Sequence, residues 1–241
     1  METATIKQAV LELLERAHEL QHDWIAGLDA AERQAAGAPD QWAARDILSH
    51  IAFWQQEQAD RVAAARRGER PRELGDDDSV NGEVFEQRRA WPWERVAAEA
   101  ERAYASLAAE VRAANDELLT DAKQLPWPAE RPLWSSVLGN GFDHVFEHVA
   151  RFYAARDDLV RASATQERMA AQPALANLPG RQAVAIYNVA CFYATTGQPE
   201  RALPRLAEAF RLDSGIVDWS KQDSDLDSLR GRADFQALYE S

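Results

Sequence analysis

Apolar residues recur through the first two thirds of the chain at steps of three and four, the spacing that holds them on one side of an α-helix. Ile6, Val10, Leu13, Ala17, Leu20 and Trp24 make one such stripe and predict a first helix from about Thr5 to Leu28. A second follows Pro39-Asp40 and carries Trp42, Ile47, His50, Ile51 and Trp54 before it fades into RRGERPRELGDDD, the long connection of the chain. A short helical piece over about Val80 to Arg89 precedes Trp91-Pro92, and proline suits the opening turn of a third helix, Trp93 to about Asp121. LPWPAERP breaks the pattern, and a fourth helix starts near Leu133 and runs to about Ala164. Ala, Leu, Glu, Arg and Gln dominate while Val, Ile, Thr and Gly are sparse, so propensity points the same way. The expected fold is all-α, with a four-helix bundle and one extended crossover over residues 1–165.

After Gln172 the texture changes. RQAVAIYNVACFYATTGQPERALPRLAEAFRLDSG reads as two antiparallel helices with Gly197 at the turn and Pro199 opening the second. Ala190, Tyr193, Gly197, Ala202, Leu206 and Ala209 fall where a tetratricopeptide repeat wants small or bulky apolar residues, and Pro204 departs from that pattern. The closing segment looks like a capping helix whose apolar side is Leu226, Leu229, Phe235 and Leu238. Residues 166–241 are therefore expected to be a tetratricopeptide-like extension. A single such unit cannot bury its apolar face alone, so it needs the bundle, a second copy of the chain or another protein partner.

Charge narrows the partners. Forty acidic against 27 basic residues give a net charge of −13, which repels a phosphate backbone and argues against nucleic acid. METATIKQAV has no basic segment followed by an apolar run, and no stretch of about 18 apolar residues occurs, so neither a leader nor a membrane span is expected. The reading is a soluble, cytoplasmic protein whose 241 residues can bury a core without disulfides. Cys191, the only cysteine, sits in the apolar stretch VACFYA and reads as a small buried thiol.

The chemistry lies in the histidines. On the fourth helix Val137, Gly141, His144, His148, Phe152, Ala155 and Leu159 follow one another in steps of four and three, an inward seam. Ala43, Ile47, His50 and Trp54 do the same on the second helix, with Asp46 one turn before His50 and able to accept a hydrogen bond from its imidazole. His18 and His22 lie well round from the stripe of the first helix and read as surface. A buried imidazole without a partner costs on the order of 1–3 kcal/mol, an expense that a shared divalent metal removes. Two histidines at i and i+4 present nitrogens to one ion, and a third from another helix completes a set that leaves a coordination position open. His50, His144 and His148 are the expected ligands. Three imidazoles suit zinc or nickel, and iron or manganese as well.

These residues carry a resemblance. WAARDILSHIAFWQQEQADRV resembles the second-helix signature of the DinB-like (YfiT-like) superfamily, and GNGFDHVFEHV its fourth-helix pattern. The run from Asn81 through WPWERV to GNGFDHVFEHV is most similar to the ClbS/DfsB branch. The likeness covers about residues 5–163, with Trp42, Asp46, His50, Asn140, Asp143, His144 and His148 as matching positions. It implies a four-helix bundle with a long crossover and a divalent ion held by one histidine of the second helix and two of the fourth. The superfamily includes thiol transferases that use bacillithiol, mycothiol or glutathione, a metal-dependent isomerase, and self-resistance hydrolases that disarm a DNA-damaging natural product. Some members of the last branch lack the triad, which this chain keeps. DNA binding is not implied by the superfamily's name.

Two mechanisms share the open position: delivery of a low-molecular-weight thiol to an electrophile, or activation of water for hydrolysis. Glu57, seven residues beyond His50, is the candidate proton acceptor for hydrolysis. Trp54 and Phe152, one turn beyond their histidines, would form an apolar wall of the substrate pocket, which Asn140 also lines. Asp76, Asp77 and Asp78 are consecutive, radiate apart and read as a solvated loop. The expectation is a metal-dependent transferase or hydrolase acting on a reactive small molecule in detoxification or self-resistance. The alternative is a non-catalytic scaffold that works through the tetratricopeptide-like unit.

Overall fold

The computed structural model describes residues 5–39 and 41–239, so Asp40, expected at the head of the second helix, lies outside the described residues. The described residues are helical or irregular, apart from an isolated antiparallel bridge between Ala38 and Gln41. Among them no helix is long and apolar enough to cross a membrane. The chain divides into two compact units, residues 1–149 and 150–241.

In the first unit, α1 spans Ile6–Gly27. It starts where Thr5 and Gln8 satisfy each other: Gln8 N–H donates to Thr5 Oγ1 at 3.2 Å and Thr5 N–H to Gln8 Oε1 at 2.8 Å. The stripe from Val10 to Trp24 is buried. After a short α2 (Ala30–Gln34), α3 runs over Ala44–Arg67 and ends at Gly68, whose φ of 73° favours a residue without Cβ. Asp76–Asp78 are a helix start rather than loop. Asp76 Oδ1 accepts from Ser79 N–H at 3.0 Å, and Asp77 and Asp78 occupy the first turn of α4 (Asp77–Arg88), where the helix dipole favours negative charge.

The expected third helix is shorter than its periodicity suggests. α5 covers Trp93–Ala113, then Asn115 adopts an extended backbone and caps α6 (Asp116–Thr120) by accepting from Leu118 N–H at 2.7 Å. The fourth is divided more deeply. α7 (Leu133–Leu138) passes into a π turn, Gly139–Asp143, and that into α8 (His144–Ala154). α3 packs most extensively on α5, α1 packs on α5, α7 and the π turn, and the π turn meets α3. A Cβ on Gly141 would run into Leu14 of α1 and Leu107 of α5, so glycine there lets three elements close up. Trp24, Leu13, Leu14, Leu48, Ile51, Leu107, Phe142 and Phe146 are fully enclosed, each contributing about 1.5–3 kcal/mol of apolar burial.

The second unit begins earlier than the expected boundary at 165/166. The chain turns at Asp157, whose φ is 59°, and a new helix, α9 (Leu159–Ala170), packs on α10 (Arg181–Thr195) instead of prolonging α8. Ala155 and Leu159, expected on the seam, are exposed accordingly. α10 and α11 (Pro199–Leu212) pair closely, with Gly197 at a φ of 71° between them and Pro199 in the first turn. Pro204 lies inside α11 without ending it. Glu167 of α9 accepts from Tyr193 Oη of α10 at 2.7 Å and binds the guanidinium of Arg205 on α11, tying three helices together. The tail is not one capping helix: α12 (Gly215–Ser220), a 3₁₀ stretch Ser224–Leu229 and α13 (Ala233–Ala237) follow in turn. Leu226, Leu229 and Phe235 are buried in it, and Leu238 is half-buried.

Candidate metal centre

His50 comes from the second turn of α3, a helix whose first turn is closed by Asp46. The sequence suggested that Asp46 accepts from the His50 imidazole, but its buried carboxylate accepts from Ala43 N–H at 3.0 Å and so caps the helix instead. Its N3 position explains this, because from there a carboxylate reaches back to an unpaired helix-start N–H. His50 Nδ1 has no hydrogen-bond partner among the described residues. His144 stands at the exit of the π turn and His148 one turn further along α8. The extra residue in that turn sets the rotation of α8 relative to α7, and with it the direction of both side chains.

The three rings converge. His50 Nε2 is 2.8 Å from His144 Nε2, and His148 Nε2 is 2.9 Å from the same atom. All three ligand nitrogens lie within 4.8 Å of one another. The Trp42 ring lies 4.7 Å from that of His50 and, nearly parallel, 6.2 Å from that of His148. Burial, reinforced by His144, lowers the His50 pKa from its ordinary 6.5 to about 3, so its lone pair is free of a proton at neutral pH.

Hydrogen bonding accounts poorly for this arrangement. A ring nitrogen carries one proton or one in-plane lone pair, yet His144 Nε2 meets two other nitrogens at hydrogen-bond distance. One cation would accept a lone pair from each. With metal–nitrogen bonds of about 2.0–2.1 Å, ligand nitrogens sit about 2.9 Å apart at right angles and about 3.4 Å apart at the tetrahedral angle. The separations from His144 to His50 and to His148 match the first case, so the three nitrogens could hold one ion.

Trp54, Glu57 and Asn140 line a cleft of about 190 Å³. Trp54 Nε1 donates to Asn81 Oδ1 at 2.9 Å, and Asn140 Nδ2 donates to Gln58 Oε1 at 3.2 Å, which fixes both side chains. Glu57 is half-buried and bound by the guanidinium of Arg72, with Nε donating at 2.8 Å. Arg61, Arg67 and Arg70 line the same cleft together with Asp60, and Arg67 is paired with Glu69 at 2.7 Å. Phe152 falls in the second unit, where it is buried with the Arg156 guanidinium 3.5 Å from its ring centre. His22 is exposed as expected, whereas His18 is partly covered, its ring stacked on Tyr104 at 3.6 Å.

Sequence reasoning named Trp42 only as a matching position of the resemblance, without a role at the site, and did not single out the arginines. Trp42 lies just before α3 and eight residues from His50, outside the helical stripe used to find inward positions. Arg61 and Arg67 lie on the C-terminal half of α3 and Arg70 on the irregular segment after it, where no periodicity applies. Cys191 is buried, and burial together with Asp223 pushes its thiol well above the ordinary range, so it is no nucleophile at neutral pH.

An all-helical protein with a cluster of three histidines drawn from two helices is thus the class defined here. The chain matches no family model, no curated protein and no solved structure.

Proposed function

We propose that the chain is a DinB-like protein whose first unit is a four-helix bundle formed by α1, α3, α5 and the α7–α8 segment. Its activity would be that of a metal-dependent transferase or hydrolase acting on a reactive, anionic small molecule in detoxification or self-resistance. The observation that carries this reading is the meeting of His50, His144 and His148 at their Nε2 atoms. Zinc or nickel suits the donor set best, and iron or manganese fits it as well. Such an ion supplies Lewis acidity that polarises an electrophile or lowers the proton affinity of a thiol or water.

The chain's own residues do the rest. His50, His144 and His148 hold the ion, and Trp42 covers two of their rings. Trp54 offers an apolar surface and Asn140 an amide to the substrate. Arg61 and Arg70 draw in a carboxylate or phosphate group, on the substrate or on a low-molecular-weight thiol. Glu57 accepts a proton once Arg72 shifts from it to that anionic group. The test is metal content in untagged protein. We expect a tightly held equivalent that His144→Ala loses, and unchanged metal content in that variant would overturn the reading.

A second reading rests on the other unit. Among the described residues the exposed large apolar side chains, Leu159, Val160, Leu212 and Trp219, all belong to residues 150–241. As a tetratricopeptide-like module that unit would bind a protein partner or a second copy of the chain. Trp219→Ser abolishing association on a sizing column would support it.

A further inference from the structure

We propose that His18, His22 and Glu101 form a second divalent-cation site, open to solvent and sharing no ligand with the three-histidine cluster. His18 and His22 are four residues apart on α1, and Glu101 projects from α5. Their Nε2 atoms are 3.1 Å apart. The carboxylate straddles the pair, with Oε2 3.1 Å from His18 Nε2 and Oε1 2.8 Å from His22 Nε2. One ligand atom from each residue lies within 4.8 Å of the others. Tyr104, three residues beyond Glu101 on α5, stacks on the His18 ring with 8° between their planes and holds its nitrogen toward the cluster.

Protons do not satisfy these three contacts together. Each Nε2 carries at most one hydrogen. If both donate to Glu101, the short nitrogen–nitrogen contact sets two N–H groups against each other. If His22 instead donates to His18, a bare ring lone pair faces a carboxylate oxygen. A cation takes a lone pair from all three, and the separations of 2.8–3.1 Å are those of ligands about 90° apart around a centre with bonds of about 2.0–2.1 Å. Two imidazoles with one carboxylate select a first-row divalent ion such as zinc, cobalt or nickel over magnesium or calcium, which prefer oxygen ligands throughout. The side chains of His22 and Glu101 are about half exposed, so water completes the coordination and the ion exchanges readily. Loaded, the site clamps α1 to α5 from the outside.

The experiment is zinc titration by calorimetry of the untagged, chelator-treated full chain, with His22→Ala, Glu101→Gln and His144→Ala beside the wild type. We expect two equivalents in the wild type. His22→Ala and Glu101→Gln each weaken one of them at least about tenfold and leave the other unchanged, while His144→Ala does the reverse. Both probed side chains are exposed, and an unaltered far-ultraviolet spectrum confirms that the variants fold. Zinc binding in His22→Ala and Glu101→Gln that equals the wild type in stoichiometry and affinity would overturn the proposal. An equivalent that survives His144→Ala but not His22→Ala would uphold it even if the three-histidine cluster bound nothing.

Discussion

His50 and His144, separated by 94 positions in the chain, face each other through their Nε2 atoms at 2.8 Å. One N–H···N bond would meet that distance alone, but His148 Nε2 also lies 2.9 Å from His144 Nε2, and one ring nitrogen serves both poorly. The expected consequence is that His50→Ala or His148→Ala lowers affinity for the buried equivalent by more than the ~10–100-fold that loss of an outer supporting residue costs. Zinc calorimetry against His18→Ala, which leaves those rings untouched, checks it.

Acid should destabilise the metal-free protein. The folded chain keeps His50 neutral down to about 3, whereas an unfolded chain protonates it as the pH falls through 6.5. Between those values the unfolded state binds more protons, so stability is complete above 6.5 and declines toward 3. By pH 5 the loss from this residue is about 2 kcal/mol, at ~1.4 kcal/mol per pH unit. Urea midpoints of chelator-treated protein measure it, and His50→Leu should flatten the slope.

Gly141→Ala should destabilise by about 1–3 kcal/mol, because the added methyl meets the enclosed side chains of Leu14 and Leu107. Gly139→Ala, two residues earlier, meets nothing within 4 Å and has helical backbone angles. It should be neutral or stabilising by up to about 1 kcal/mol. Thermal denaturation of the two variants separates close packing from propensity.

Cys191 should resist thiol reagents in the folded protein. Its sulfur is buried, and burial with Asp223 holds it in the protonated form, the unreactive one. Ellman's reagent should titrate about one thiol in denaturant and almost none without it, and prompt labelling of native protein would contradict the structure.

Much of the architecture was legible as pattern. The stripe from Ile6 to Trp24 set α1 to within a residue at each end, because Thr5 and Gln8 form a local start signal that needs no partner. The glycine and proline at 197 and 199 likewise marked the turn between α10 and α11. Breaks that depend on one side chain were not legible. Asn115 ends the third helical run and Asp157 the fourth, in stretches whose apolar spacing continues across them. The two compact units divide within α8, between residues 149 and 150, which leaves Phe152 in the second.

By itself the sequence determined the helical class, the buried stripes of α1 and α3, and the inward position of His50, since all of these follow from a period of 3.6 residues, whereas His18, expected at the surface, is partly covered by α5. Only the tertiary structure decided what those faces meet. The rotation of α8 depends on a π turn that no periodicity announces, and the pairing of Asp46 with its own helix start depends on competition between two nearby donors. The junction of His18 and His22 with Glu101 depends on the packing of α1 against α5. Spacing along a chain reports direction around one axis, whereas the distance between two axes is set by packing of the whole core.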